Sequence, residues 1–192
     1  MKFKSDQHVL DHHRFSRRRL LQIGLGVAAG LVMPNAFAKL LKQPERKLSL
    51  FNLHTGESIN ATYWAEGQYQ TTELKAIDQI LRDFRTGDVH KIDTDLIELL
   101  NLIHHKTGVK QAFHVISGYR SPKTNATLNK NTTGVAKKSL HMQGKAIDIR
   151  LPEYNLSDLR DIALNLKAGG VGFYPESNFI HVDTGRVRHW GA

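Results

Sequence analysis

The stretch Ser139-Leu140-His141-Met142-Gln143-Gly144-Lys145-Ala146-Ile147-Asp148 sets an imidazole and a carboxylate seven residues apart around a glycine. A second stretch, Phe179-Ile180-His181-Val182-Asp183, adds another imidazole and another carboxylate. Alternation decides how both fold. In Ala146-Ile147-Asp148-Ile149-Arg150 a strand period of two sends Ile147 and Ile149 into a core and turns Asp148 to the opposite face. In the second stretch Ile180 and Val182 face inward, while Phe179, His181 and Asp183 share the other side. Two adjacent strands then present Asp148 and His181 to one cleft. Gly144, free to take positive φ, makes the turn that folds His141 back toward Asp148.

A single His beside an apolar run is more often a satisfied or solvent-facing residue than a ligand, and the chain has 11. Two His and one Asp on period-two faces, each flanked by core-type residues, favour a ligand set instead. His141, Asp148 and His181 make three ligands for one zinc ion per chain and leave its fourth position to water. His104 and His105 are adjacent on an expected helix and cannot both point one way, so neither counts as a ligand. His114, alternating with Val115, is a candidate for a supporting role only. With no Cys, a thiol nucleophile and stabilising disulfides are both excluded. Phosphate-cradling loops and Ser/His/Asp nucleophile patterns are not evident.

These residues resemble the motif Ser-x-His-x-x-Gly-x-Ala-x-Asp, followed downstream by a third ligand His. It belongs to the zinc peptidases that include D-Ala-D-Ala carboxypeptidases, murein endopeptidases and the zinc domain of hedgehog proteins. Ser139, His141, Gly144, Ala146 and Asp148 fill every fixed position. Upstream, Ser117-Gly118-Tyr119-Arg120-Ser121 is similar to the arginine-bearing loop of the family. Gly172-Phe173-Tyr174-Pro175 and His181-Val182-Asp183 are similar to its C-terminal strands. The likeness spans residues 113–190 and is nearest to the murein endopeptidase branch.

The resemblance implies a zinc-dependent endopeptidase that hydrolyses peptide cross-links in peptidoglycan. Arg120 would then face a developing oxyanion or a substrate carboxylate, where a guanidinium fork is well suited. Tyr119 and Ser139 would contact substrate, Ser139 also holding the ligand loop through a backbone hydrogen bond. Many members carry an acidic general base three residues before the third ligand, a position held here by Asn178. The nearest acids are Asp183 and Glu176. Asp183 is preferred as the base because it shares a face with His181, although it can equally orient that imidazole. The missing acid also keeps open a catalytically silent zinc domain that binds wall peptides or a protein partner.

The N-terminus indicates where this chemistry happens. Arg17-Arg18-Arg19 precedes the apolar run Ile23 to Met33 and then Ala36-Phe37-Ala38, a small-x-small cleavage site. That is a twin-arginine signal peptide over residues 1–38, which implies the twin-arginine export machinery and a periplasmic location. Eleven apolar residues are short for a membrane span, which takes about 20. Residues 1–38 carry six Lys or Arg and two Asp, a net +4, leaving +5 of the chain's +9 for the rest. A basic balance suits the anionic polymers of the envelope, and nucleic acid is not an expected partner because the signal peptide carries almost half of the excess charge. Lys137 and Lys138 are placed to help hold such a polymer. The remaining 154 of 192 residues fit one soluble domain, expected to act as a monomer.

After a linker over residues 39–47, the domain of residues 48–192 reads as α+β. Leu48 to Leu53 and Ser58 to Tyr63 form an expected hairpin. Helices are expected over Thr72 to Phe84, Thr94 to Lys106, and Ser157 to Lys167, the last capped by Ser157 and stopped by Gly169-Gly170. Phe113 to Ser117 is a strand, and the Asn-, Thr- and Lys-rich segment Asn125 to Lys138 reads as a mobile loop bordering the cleft. The expected architecture is a small antiparallel sheet carrying the zinc, with helices on one side. Trp190 and His189 are candidates for a cleft wall, but the preferred reading makes Trp190 a packing residue that pins the C-terminus and leaves His189 solvent exposed.

Overall fold

The computed structural model describes residues 45–131 and 135–191. The expected signal peptide and its cleavage site lie outside these residues. Among the described residues, no helix is long and apolar enough to cross a membrane.

Residues Arg46–Asn52 (β1) and Ser58–Ala65 (β2) form an antiparallel hairpin, and β1 starts two residues inside the segment expected as linker. The short strand Gln68–Tyr69 (β3) folds back on β2. Helices Thr71–Ile80 (α1) and Thr94–Thr107 (α2) follow, then strand Phe113–Ser117 (β4) and helix Pro122–Asn131 (α3). A 3-10 turn at Leu140–Gln143 leads into strand Ala146–Arg150 (β5). Helix Leu156–Leu166 (α4) and strands Gly170–Tyr174 (β6), Phe179–Asp183 (β7) and Arg188–Trp190 (β8) complete the domain.

The strands form one eight-stranded sheet in the order β3-β2-β1-β4-β5-β7-β6-β8. It is mixed, not the small antiparallel sheet expected, because β1–β4 and β6–β8 are parallel pairs. Connection geometry gives the reason. Between β1 and β4 the chain runs through the hairpin and two helices, long enough to return in the same direction. After β7, residues 184–187 step past the start of β6 and lay β8 on its far side, parallel to it.

Helices α2 and α4 pack on one another, α2 also on β1 and α4 on β6 and β7. The core between them is built from the inward set of each strand, including Leu48, Leu50, Phe113, Val115, Ile147, Ile149, Ile180 and Val182. Leu96, Leu100 and Ile103 of α2 and Leu159 and Ala163 of α4 fill it from the helical side. Burying each such side chain contributes about 1.5–3 kcal/mol relative to exposure. Two apolar residues per strand are thereby committed to the helical face, which leaves Asp148 and His181 for the other.

Three local expectations need correction. The segment Asn125 to Lys138 is not a free loop, since α3 occupies its first half. Ser121 Oγ accepts the Thr124 N–H at 3.2 Å, and Pro122 opens the helix, a start signal that the polar composition downstream obscures. The side-chain amide of Asn125 then donates to the Ala136 carbonyl at 3.1 Å, tying the returning chain to α3. Helix α1 ends at Ile80 rather than Phe84. Past it Asp83 organises a turn, accepting the Arg85 N–H at 3.0 Å on one carboxylate oxygen and the Ser121 N–H at 2.9 Å on the other. Helix α4 is capped by Asn155, not Ser157. The Asn155 Oδ1 accepts the N–H groups of Ser157 and Asp158, and the helix ends at Lys167, φ +50°, ahead of the glycine pair.

Asp83 is 1 % exposed. Burial pushes its carboxyl up, but the hydrogen bonds from Ser121, Thr124 and Arg85 outweigh that and bring its pKa down to about 2. A depressed carboxyl stabilises the fold above its unfolded pKa, near 4, and ceases to do so as pH falls through the folded value. Asp83→Asn is therefore expected to lower stability by roughly 1–2 kcal/mol at pH 7. Urea denaturation as a function of pH checks this: the gap to the unsubstituted protein should close between pH 4 and pH 2, and a gap independent of pH would contradict the assignment.

Candidate metal centre

The site is a single row across five strands. In register, Ser117 of β4 pairs with Asp148 of β5, Asp148 with His181 of β7, His181 with Gly172 of β6, and Gly172 with Trp190 of β8. Residues paired directly across strands share a face of the sheet, so the row sets Ser117, Asp148, His181 and Trp190 side by side. An irregularity between Val115 and Ser117 makes Ile116 the extra residue and brings Ser117 into line with Asp148. Gly172 has to lack a side chain, because a Cβ there would sit 2.6 Å from the indole of Trp190, which lies across it.

His141 reaches the row from the 3-10 turn. Ser139 Oγ accepts its backbone N–H at 3.3 Å, capping the turn, and Gly144 closes it at φ +65°, where a Cβ would collide with the Lys91 carbonyl. The Arg120 N–H donates to the His141 carbonyl at 3.2 Å, and His141 Nδ1 lies 2.8 Å from the Gly118 carbonyl. A carbonyl only accepts, so Nδ1 carries the proton and Nε2 turns a lone pair toward the row. His181 is held the opposite way round. Its Nε2 lies 3.0 Å from Asp183 Oδ2 and its Nδ1 faces the row.

One ligand atom from each of His141, Asp148 and His181 falls within 4.8 Å of the others. His141 Nε2 is 3.2 Å from His181 Nδ1, and Asp148 Oδ1 is 3.3 Å and 2.8 Å from those two nitrogens. Donors held about 2.0–2.1 Å from an ion at tetrahedral angles lie about 3.3 Å apart, close to these separations. Two lone pairs and a carboxylate oxygen that face one another repel unless a positive charge joins them. The trio therefore fits a metal ion by its own donor chemistry. Burial pushes Asp148 up, but the two imidazoles hold it well below the usual carboxylate range. Burial likewise opposes charge on His181, yet its bonds to Asp148 and Asp183 raise its pKa.

Asp183 stands behind His181 and is 0 % exposed. Its Oδ1 accepts the N–H groups of Gly170 and Gly185, at 3.0 and 2.8 Å, and Arg188 grips both oxygens at 3.0 and 2.7 Å. Burial raises its pKa, but the bonds from His181, Arg188 and the two glycine amides outweigh that and hold it well below the usual range.

A cavity of about 400 Å³ opens over the trio, lined also by Arg120, Lys138, Ser139, Tyr174, Phe179, Arg188 and Trp190. Among the described residues its lining holds three cationic side chains and one carboxylate, that of Asp148. Arg120 is 9 % exposed and donates to Ser117 Oγ at 3.3 Å and Asp148 Oδ2 at 3.5 Å, while its Nε has no partner among the described residues. Tyr119 lies outside the lining, its ring stacked on His90 with centroids 4.7 Å apart. Glu176 and Asn178 are exposed in the β6–β7 turn, Glu176 beside a separate hollow next to Tyr174. His114 pairs with Arg150 and takes no part in the trio, and His189 is exposed as expected.

Sequence reasoning assigned no role to Arg188 or Tyr174 and preferred packing to a cleft wall for Trp190, which lines the cavity. A signal was present: Arg188 and Trp190 alternate in a third short strand, a cation and an aromatic at period two just after the ligand strand.

Because Asp183 fixes the proton on His181 Nε2, Asp183→Asn is expected to weaken metal binding about 10–100-fold. Competition titration with a chromophoric chelator measures this. Unchanged affinity combined with lost turnover would instead make Asp183 the proton acceptor of the reaction.

Comparison with known proteins agrees with this geometry. The family model described as peptidoglycan L,D-endopeptidase MepK matches residues 41–190. The peptidoglycan L,D-endopeptidase MepK of Escherichia coli K12 is 43% identical over 183 residues, covering 94% of this chain and 100% of that protein. The probable peptidoglycan L,D-endopeptidase MepK of Haemophilus influenzae is 40% identical over 178 residues, 91% of this chain and 95% of that protein. With three-quarters of its length under one family model and its two-His, one-Asp trio inside that span, the chain belongs to the peptidoglycan L,D-endopeptidase MepK family.

Proposed function

We propose that this protein is a zinc-dependent L,D-endopeptidase that cuts peptide cross-links of peptidoglycan in the periplasm, after export by the twin-arginine machinery. The broader part stands without the proposal: the chain is a peptidoglycan endopeptidase of the metallopeptidase class, by family and by its metal-binding trio. The observation that carries the finer reading is the convergence of two imidazole nitrogens and one carboxylate oxygen on one point beneath an open cavity. Nitrogen and oxygen ligands, three in number, suit zinc with a position left open. Zinc bound there supplies Lewis acidity to a water and to the scissile carbonyl at neutral pH.

The chain's own residues do the rest. Arg120 brings a buried guanidinium to the mouth of the trio, where its N–H groups can donate to the carbonyl oxygen as that oxygen gains charge. Lys138 and Arg188 make the cavity cationic, which suits carboxylate-bearing wall peptides. Ser139 holds the ligand turn and lines the cavity, so it is placed both to support His141 and to touch substrate. Asp183, enclosed and with both oxygens bonded, suits the role of orienting His181 better than that of proton acceptor. The periplasmic location and the export route rest on Arg17-Arg18-Arg19 and Ala36-Phe37-Ala38.

A digest of purified peptidoglycan tests the proposal, comparing the zinc-loaded protein, the same protein with chelator, and His141→Ala, with released muropeptides read by mass spectrometry. Cross-linked dimers should disappear only in the zinc-loaded sample, and the product masses should name the bond. Dimers left intact by folded, zinc-loaded protein would favour the catalytically silent, peptide-binding reading.

A further inference from the structure

We infer that Tyr174 is a catalytic hydrogen-bond donor, its phenol oriented by the Trp190 indole so that it donates to the scissile carbonyl oxygen as that oxygen gains charge. The inference rests on the peptidase reading above and extends it to a residue that the ligand trio does not include.

Tyr174 ends β6 and lines the same cavity as His141, Asp148, His181 and Arg120. Its hydroxyl oxygen accepts the Trp190 Nε1–H at 2.7 Å. That bond occupies a lone pair and leaves the single phenolic proton unused, and among the described residues no protein acceptor takes it. The ring plane is fixed by stacking on Phe179, with centroids 4.6 Å apart and planes inclined by 22°. Accepting the indole N–H also polarises the phenol and strengthens it as a donor.

The Trp190 indole is itself held on three sides. It lies over Gly172, its ring centroid is 5.2 Å from that of His181, and the Arg188 guanidinium sits 4.9 Å from it. Arg188 in turn grips Asp183, the partner of His181. The orientation of the phenol is thus tied to the same row that sets the trio. Tyr174 and Arg120 line the same cavity. A cavity with one carboxylate, already committed to the trio, offers a charged carbonyl oxygen two such donors: the guanidinium and the phenol. A preorganised donor aimed at developing charge typically contributes about 10²–10³-fold to kcat.

The experiment uses the full, zinc-loaded protein, with Tyr174→Phe as the variant and a purified cross-linked muropeptide dimer as substrate. Tyr174→Phe should lower kcat about 100-fold with KM within about twofold and metal content unchanged. Affinity for a phosphinate isostere of the cross-link, which mimics the tetrahedral state, should fall by a similar factor, while affinity for the product peptides should not change. Retention of kcat, a rise confined to KM, or a loss of activity that tracks loss of metal would each overturn the inference. Failure of the peptidase reading looks different: the unsubstituted zinc-loaded protein would itself leave the dimer uncut, and the role of Tyr174 would fall with it.

Discussion

Three ligand atoms face one another across about 3 Å in this fold, two imidazole nitrogens and a carboxylate oxygen. Acceptor atoms held this close repel one another unless a positive charge joins them. A positive charge at their centre reverses the sign. The surrounding network serves this one constraint. The Gly118 carbonyl fixes the proton of His141 on the far nitrogen, Asp183 does so for His181, and Arg188 with two backbone amides holds Asp183. Such outer contacts orient ligand rings and raise their basicity.

The register of the central strands serves the same requirement. Asp148 and His181 meet only because β5 and β7 pair in one register, and a slip of one residue in either strand would send its ligand into the helical core and expose an isoleucine in its place. The apolar residues that flank each ligand make that slip costly, so the hydrophobic pattern that builds the core also aims the ligands. Two further pairings extend the row at its ends, β4 antiparallel on β5 and β8 parallel on β6. β4 brings Ser117 and the Arg120 loop to one side, and β8 brings Arg188 and Trp190 to the other. The cavity is what remains between these two ends.

The central strands were legible in the sequence because local alternation determines them: Phe113–Ser117 was read to the residue, and Ile147, Ile149, Ile180 and Val182 are all buried as expected. The trio was legible because its members lie on that alternation or beside a glycine turn. Non-local features were not. Nothing in Arg188-His189-Trp190 says that it will cross β6 and pair in parallel, so neither the grip of Arg188 on Asp183 nor the bond from Trp190 to Tyr174 was foreseeable by period alone. The helix at Pro122–Asn131 was hidden by an Asn- and Lys-rich composition, although Ser121-Pro122 marks its start. Asp183 was placed on the correct face, but its enclosure by β6 and the following loop depends on tertiary packing.

The claim on which all of this depends is that the trio is built around a metal. X-ray absorption at the zinc edge, on protein loaded with one equivalent of zinc, addresses it without reference to turnover. The account predicts a four-coordinate shell of nitrogen and oxygen at about 2.0–2.1 Å with two imidazole signatures, one of them lost in His141→Ala. A shell with no imidazole contribution, or zinc that washes off the folded protein, would contradict it.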